Sequence, residues 1–282
     1  MSLREYILLA KCPDRRGIVT AVAGSLAALD CNIEESAQYS DPETGQFFMR
    51  LRFSSEAELN DIMEYFSPLA RRFDMWWRMY PKARKSRLMI LVSRQDHCLA
   101  DLLYRWRTGF LPVEITRVVS NHDTCRKMVE YEGLPFDVLP VTKDTKARQE
   151  EQLRALIEQD KPDFIILARY MQILSDAFAN DYFGRIINIH HSFLPGFKGA
   201  RPYHQAYARG VKIIGATAHF VTPELDEGPI IEQDVERVTH AMSVRDLIVA
   251  GHDIERRVLA RAVKYCIEHR VIVNGGRTVV FQ

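Results

Sequence analysis

From Leu88 onward, short apolar runs rich in β-branched residues alternate with segments of helical period, and few folds accept that order. Leu88–Val92, Glu114–Val119, Asp137–Val141, Phe164–Ala168 and Arg185–Ile189 read as strands. Leu99–Trp106, Cys125–Glu132, Lys146–Gln159 and Ser175–Tyr182 lie between them and read as helices. Parallel strands joined by helices need right-handed crossovers, so the pattern predicts a mostly parallel, Rossmann-like sheet covered on both faces. Val211–Val221 and Pro229–Val238 read as a later strand pair. Val244–Ile267 reads as a long helix, because Leu247, Ile248, Ile254, Val258 and Ala262 recur at helical spacing.

The first part of the chain follows a different pattern, strand-helix-strand-strand-helix-strand, which is a ferredoxin-like βαββαβ order. Tyr6–Ala10 is a short buried strand, and Ile18, Val19, Val22, Leu26 and Leu29 mark the core face of a helix for which Asp14 is the expected N-cap. Ile33–Tyr39 and Gln46–Phe53 flank the turn-rich segment Asp41–Gly45, as in a hairpin. Ser55 and Glu58 have capping-box spacing before a helix carrying Leu59, Ile62, Met63 and Phe66, and Phe73, Met75, Trp77 and Met79 alternate as a last strand. The basic run Lys82–Arg87 then reads as a solvated linker, giving two domains, residues 1–82 and 83–282.

Lys and Arg number 38 against 37 Asp and Glu, a net charge of +1, so no polyanionic partner is signalled and nucleic-acid binding is not expected. Five dispersed cysteines, with no CxxC pair, argue against a disulfide framework. The N-terminal residues lack the regions of a signal peptide, and no apolar run reaches the roughly 20 residues that span a bilayer. A cytoplasmic protein without membrane contact is therefore expected.

Chemistry concentrates at the ends of two strands. Asn188 and His190 close the run Arg185–Ile189 and precede Leu194–Gly199, which cannot continue regular structure. Asp226 lies in a second loop, before Glu227-Gly228-Pro229. Ligands of open α/β sheets gather beyond the carboxyl ends of strands. An amide, an imidazole and a carboxylate collected there can donate to a carbonyl oxygen, supply a cation near neutral pH and act on water, which suits acyl chemistry. HxxxH and CxxC spacings are absent, so no metal site is expected. His204 and His219 read as local structure.

The segment Cys12-Pro13-Asp14-Arg15-Arg16-Gly17-Ile18-Val19, opening the first helix, resembles the ACT family of ligand-sensing modules. That resemblance implies an amino-acid effector, glycine or methionine, held by the loop around Gly17, and a homo-oligomer formed through paired sheets; alternatively Gly17 serves only close helix packing. Asn188-Ile189-His190-x-Ser192-x-Leu194-Pro195 with Leu225-Asp226-x-Gly228 is similar to the signature of the folate-using formyltransferase fold. The ACT-like unit in front, with His190-His191 and Gly228–Asp234, resembles the deformylase branch of that family.

The branch implies hydrolysis of 10-formyltetrahydrofolate to formate and tetrahydrofolate, supplying formate for purine synthesis and balancing one-carbon pools. Folate is then the substrate, and neither a cofactor nor a metal is implied. Asn188 would donate to the formyl oxygen, protonated His190 would stabilise its developing charge, and Asp226 would orient or deprotonate water. Met171, Gln172, Ile173 and Leu174 would form one wall of the pterin slot, and Thr222, Pro223, Glu224 and Leu225 the other. His191 stands where the transferase relatives carry a proline, and either positions water or is structural. Those relatives also place a glycine-rich phosphate loop where this chain has Val92–Leu99, without glycine. Two alternatives stay open at this stage: formyl transfer to an amine such as glycinamide ribonucleotide, and a non-catalytic folate or amino-acid sensor.

Overall fold

The computed structural model describes residues 3–142, 144–196 and 202–282. Two compact units are present. One contains the residues up to Lys85 together with Glu268–Asn274 and Val279–Gln282; the other contains Ser86–Ile267 and Gly275–Thr278.

In the first unit β1 (Arg4–Pro13), α1 (Ile18–Ala27), β2 (Asn32–Asp41), β3 (Gln46–Ser55), α2 (Leu59–Arg72) and β4 (Trp76–Pro81) follow in the expected order. The sheet runs β2-β3-β1-β4, with every pairing antiparallel. Side chains alternate across a strand, so Tyr6, Leu8, Ala10 and Cys12 of β1 join the core beneath Ile18, Val22, Ile62 and Phe66 of the two helices. Leu9 points the other way and packs, with Phe48 of β3, against Ile272 and Phe281. This is why β1 reads as a continuous apolar run instead of an alternating one: both of its faces are covered.

The second cover comes from the C-terminal segments, with β12 (Val271–Asn274) and β13 (Arg277–Val280), which sequence periodicity did not reveal. A single boundary at residue 82 therefore omits part of the first unit. Arg50 holds the returning chain. Only 2% exposed, it donates to the carbonyls of Glu268 (3.1 Å) and His269 (3.0 Å) and pairs with Glu35 at 2.9 Å. A buried guanidinium is tolerated only when its donors are matched in this way.

Two expected caps are absent. Gly17, not Asp14, is the N-cap of α1, and it takes φ +89°, a conformation costly to residues with a Cβ. A Cβ there would meet nothing within 4 Å, so glycine serves backbone conformation and not close helix packing. Asp14 instead donates its amide to Gly45 O at 2.8 Å. At α2 the N-cap is Glu58, with no side-chain cap, and Ser55 Oγ accepts from Ala57 N at 3.1 Å.

The second unit holds β5 (Arg87–Val92), α3 (His97–Arg107), β6 (Glu114–Ser120), α4 (Arg126–Tyr131), β7 (Phe136–Val138), α5 (Lys146–Asp160), β8 (Phe164–Ala168), α6 (Asp176–Asp181), β9 (Ile186–His190), α7 (Pro202–Ala208), β10 (Ile213–Phe220), β11 (Ile230–Arg237) and α8 (Val244–Ile267). Among the described residues its sheet runs β11-β10-β9-β8-β5-β6-β7. Strands β5 to β9 are mutually parallel, while β10 and β11 run antiparallel at one edge. Met89, Leu91, Ile165 and Leu167 bury one face under Leu153, Ile157 and Phe178 of α5 and α6. Helix α8 packs over β9, β10 and β11 and against α3 and α7. The chain leaves β5 towards β6 and β7, then returns to lay β8 on the other side of β5. This reversal opens a crevice beyond the carboxyl ends of β5 and β8, where open α/β sheets bind ligands. Its two loops are tied together: Ser93 N donates to Arg169 O (3.2 Å), and Met171 N donates to Ser93 Oγ (2.9 Å).

Phe281 is 7% exposed, so Phe281→Ala should destabilise the first unit by about 3–5 kcal/mol, the range for emptying a buried aromatic site. Denaturant unfolding measures this; a loss within the scatter of surface substitutions would mean that the C-terminal segments do not complete the core.

Candidate active site

Strands β9 and β10 assemble the first half of the site. Their antiparallel register sets Asn188 opposite His219 and His190 opposite Thr217. His219 Nδ1 lies 2.8 Å from Phe220 O, and a carbonyl can only accept, so this nitrogen carries the proton. In the neutral ring Nε2 is then an acceptor, and Asn188 Nδ2 donates to it at 3.2 Å. One amide hydrogen of Asn188 is thereby spent on orientation, and the other is left to a ligand. His219, read from sequence as local structure, is the group that aims the amide. His204 is exposed and takes no part.

Asp226 provides the second half. Its Oδ1 lies 3.2 Å from His190 Nδ1 and 3.7 Å from His219 Nε2. The backbone at Asp226 adopts φ +59°, the left-handed region that non-glycine residues enter at a cost and that recurs at functional sites. Two residues on, a Cβ at Gly228 would overlap the Phe220 carbonyl, so only glycine lets this loop close under β10. Burial works to raise the Asp226 pKa, but the hydrogen bond from His190 Nδ1, with the His219 ring close by, overcomes it and holds the group well below the carboxylate range. The group is thus an anion at any ordinary pH and a feeble base. His190 is 5% exposed, and its Nε2 meets no partner among the described residues. With Nδ1 directed at Asp226, Nε2 is the position from which the ring can reach a ligand.

His191 stacks on His190 with ring centroids 4.7 Å apart. Burial, then the charges of Arg169 and His190, push its pKa down to about 4, so it is neutral at physiological pH. The loop beyond it is pinned by residues with no sequence signal of their own. Thr217 Oγ1 donates to Ser192 O (2.9 Å) and accepts from Leu194 N (3.0 Å), while Gln233 Nε2 donates to Leu194 O (3.0 Å). Leu194–Pro195 is a cis peptide. Phe197, Lys198 and Gly199, read above as part of this loop, lie outside the described residues.

The expected slot residues fall on two loops. Met171 and Ile173 are 58% and 61% exposed, so they are not consumed by packing at the start of α6; Leu225 on the opposite loop is 56% exposed. Leu174 and Val221 lean on one core cluster at the base of the two loops. Gln172, Thr222 and Pro223 are half-buried, Glu224 is exposed, and Thr222 Oγ1 donates to Glu224 O at 3.1 Å. Large apolar side chains displayed beside convergent polar groups suit a flat, partly polar ring.

Sequence reading missed a further group altogether. Glu255 is 0% exposed on the apolar face of α8, between Ile254 and Val258. A carboxylate interrupting a helical apolar stripe is a visible signal; its partners, drawn from distant loops, are not.

This sheet with its site is that of the formyl transferases, whose family model, described as "Formyl transferase", matches residues 86–263. A glycinamide ribonucleotide transformylase structure from Symbiobacterium toebii is 27% identical, with a TM-score of 0.66 over 72% of this chain and 97% of that one. Agreement with deformylases extends over the first unit as well. The formyltetrahydrofolate deformylase of Bacillus subtilis (strain 168) is 49% identical over 97% of this chain and 93% of its own length. The deformylase structure from Burkholderia mallei ATCC 23344 is 48% identical, with a TM-score of 0.96 over 99% and 100% of the two chains. The chain belongs to the formyltetrahydrofolate deformylase family.

The depressed pKa of His191 has a consequence for stability. Between 6.5 and about 4 the unfolded chain binds the proton that the folded site refuses, so stability falls as pH falls through that window. In His191→Gln the slope should flatten, as read by denaturant unfolding across the window; an unchanged slope would remove His191 as its source.

Proposed function

We propose that this chain hydrolyses 10-formyltetrahydrofolate to formate and tetrahydrofolate, supplying formate for purine synthesis and balancing one-carbon pools in the cytoplasm. The observation that carries the reading is the convergence of the oriented Asn188 amide, the His190 Nε2 that has no partner among the described residues, and the ionised Asp226 carboxylate. The water oxygen bonds to the formyl carbon, and negative charge moves onto the formyl oxygen. Asn188 Nδ2 and protonated His190 Nε2 donate to that oxygen, in a site that is already organised before the charge develops. Asp226 stabilises the imidazolium electrostatically and orients the water; its depressed pKa argues against its taking the proton outright. The bond from carbon to N10 then breaks, one proton of the attacking water passes to N10, the other is released to solvent, and formate leaves. Met171, Gln172, Ile173 and Leu174 face the pterin from one side, and Thr222, Pro223, Glu224 and Leu225 from the other. Every step runs on these side chains, so the reading calls for no metal and no cofactor.

Formate release separates these roles. Asn188→Ala should lower turnover by about 10²–10³, the effect of deleting one oxyanion donor. Asp226→Asn should lower it by about 10²–10⁴ while folate binding, followed by fluorescence quenching, persists. Wild-type turnover in either variant would remove that residue from the mechanism.

Regulation belongs to the first unit in this reading. Gly17 leaves the first turn of α1 without a side-chain cap or an acidic residue, so its amides suit the carboxylate of an amino acid, with glycine and methionine as candidates. Strands β2 and β4 edge the sheet, which suits sheet pairing in a homo-oligomer. Calorimetric titration with glycine and methionine should give binding that alters turnover. The absence of heat from both would exclude them as effectors.

A further inference from the structure

The crevice beyond β5 and β8 is filled by the protein itself. Glu255 of α8 accepts from Tyr203 OH at 2.6 Å and from His97 Nε2 at 2.8 Å, and lies 3.4 Å from Arg169 Nε. Arg169, which follows β8 with φ +63°, also donates through Nε (2.8 Å) and Nη2 (2.6 Å) to Gln95 Oε1, on the loop after β5. His97 stacks on His252 with centroids 3.9 Å apart. A Cβ at Gly251 would overlap the Tyr203 ring, so α8 lacks a side chain where that ring lies. Helices α3 and α7 and the loop after β8 thus converge on one carboxylate of α8 that is 0% exposed, a costly burial unless every partner is in place.

The cluster adjoins the reacting end of the site. Arg169 and Glu255 act electrostatically on His191, whose ring lies against His190. His97, Cys98 and Glu255 bring ligand atoms within 4.8 Å of one another, as a metal site would. Their chemistry does not suit a cation: both Glu255 oxygens are engaged, Arg169 already supplies positive charge, and burial pushes the Cys98 thiol well up.

We propose that the Glu255–Tyr203–His97–Arg169 cluster is a specificity determinant: it occupies the crevice where an amine-bearing second substrate would lie, and so leaves water as the nucleophile. The inference rests on the hydrolytic reading above. Two observations support it. The Symbiobacterium protein, by its name a transformylase of glycinamide ribonucleotide, is similar to 72% of this chain, so a second substrate is compatible with a related framework. In this chain the side chains of Gln95 and Arg169 bridge the loops after β5 and β8, and Tyr203 meets Arg169 on the same Glu255 carboxylate. With water, the formyl carbon gains an oxygen and leaves as formate. With an amine, the carbon bonds to nitrogen, the bond to N10 breaks, and the amine's proton passes to N10.

The test supplies 10-formyltetrahydrofolate with a large excess of glycinamide, and quantifies formate and N-formylglycinamide by mass spectrometry. Wild type should give formate alone, as should Tyr203→Phe, which keeps the ring. Tyr203→Ala, which empties the space over Gly251, should raise the amine-captured fraction by roughly 10–200-fold, the range over which pocket occlusion discriminates. A Tyr203→Ala enzyme that releases formate but captures no more amine than wild type overturns the proposal, as does equal capture in Tyr203→Phe. Should Tyr203→Ala not fold, His97→Ala opens the cluster from α3 and is read in the same way. Failure of both to fold would make the cluster a requirement of folding alone and would also overturn it. Wild-type enzyme that releases no formate sinks the hydrolytic reading itself, a result distinct from formate release without amine capture.

Discussion

One half-buried carboxylate organises the candidate site of this protein. Asp226 lies within 3.7 Å of two imidazoles, and each of those rings has a second task. His219 is anchored to the Phe220 carbonyl and aims the Asn188 amide; the other nitrogen of His190 has no partner among the described residues. Without the imidazoles, Asp226 would be a charge stranded in a low-dielectric loop; without Asp226, His190 would lose its orienting partner. Backbone requirements follow from the same point, because the left-handed turn at Asp226 and the missing side chain at Gly228 bring the carboxylate back under β10.

Asp226 and Glu255 show how environment divides like groups between unlike roles. Burial opposes ionisation in both, and in both the neighbouring donors win, bringing Glu255 down to about 2. Asp226 is joined through His190 to a nitrogen that remains available to a ligand. Glu255 spends its oxygens on Tyr203, His97 and Arg169. In the proposed mechanism one carboxylate therefore acts on what enters the site, and in the proposed specificity the other acts on what is kept out.

Much of this was legible in the residues. Periodicity located β8 at Phe164–Ala168 and α8 at Val244–Ile267 with the bounds the structure has, because both are long or strongly apolar segments between clear breakers. The spacing of Asn188, His190 and Asp226 marked the site because an apolar run precedes each. Asn188 and His190 nevertheless lie in β9 itself and not in a loop, and only Asp226 lies in a loop beyond its strand. Elements whose partners are remote in sequence were not legible. β12 and β13 are only four residues each, and their burial depends on Leu9 and Phe48 at the other end of the chain. Asp14 and Ser55 matched local capping rules, but tertiary hydrogen bonds and the φ of Gly17 took precedence. Thr217 and Gln233, which pin the loop after His191, are ordinary strand residues until β9, β10 and β11 are set side by side.

The most direct measurement of this arrangement is the titration of the Asp226 carboxyl carbon, labelled with ¹³C and followed by NMR from neutral pH into the acid range. Ionisation that persists below 3.8, the ordinary midpoint, and that in His190→Ala reverts towards it, is the predicted result. A midpoint above 3.8 in the wild-type protein would mean that burial outweighs the two imidazoles. Asp226 would then be a proton acceptor tuned upwards, and the account of it as a fixed anion orienting water would be wrong.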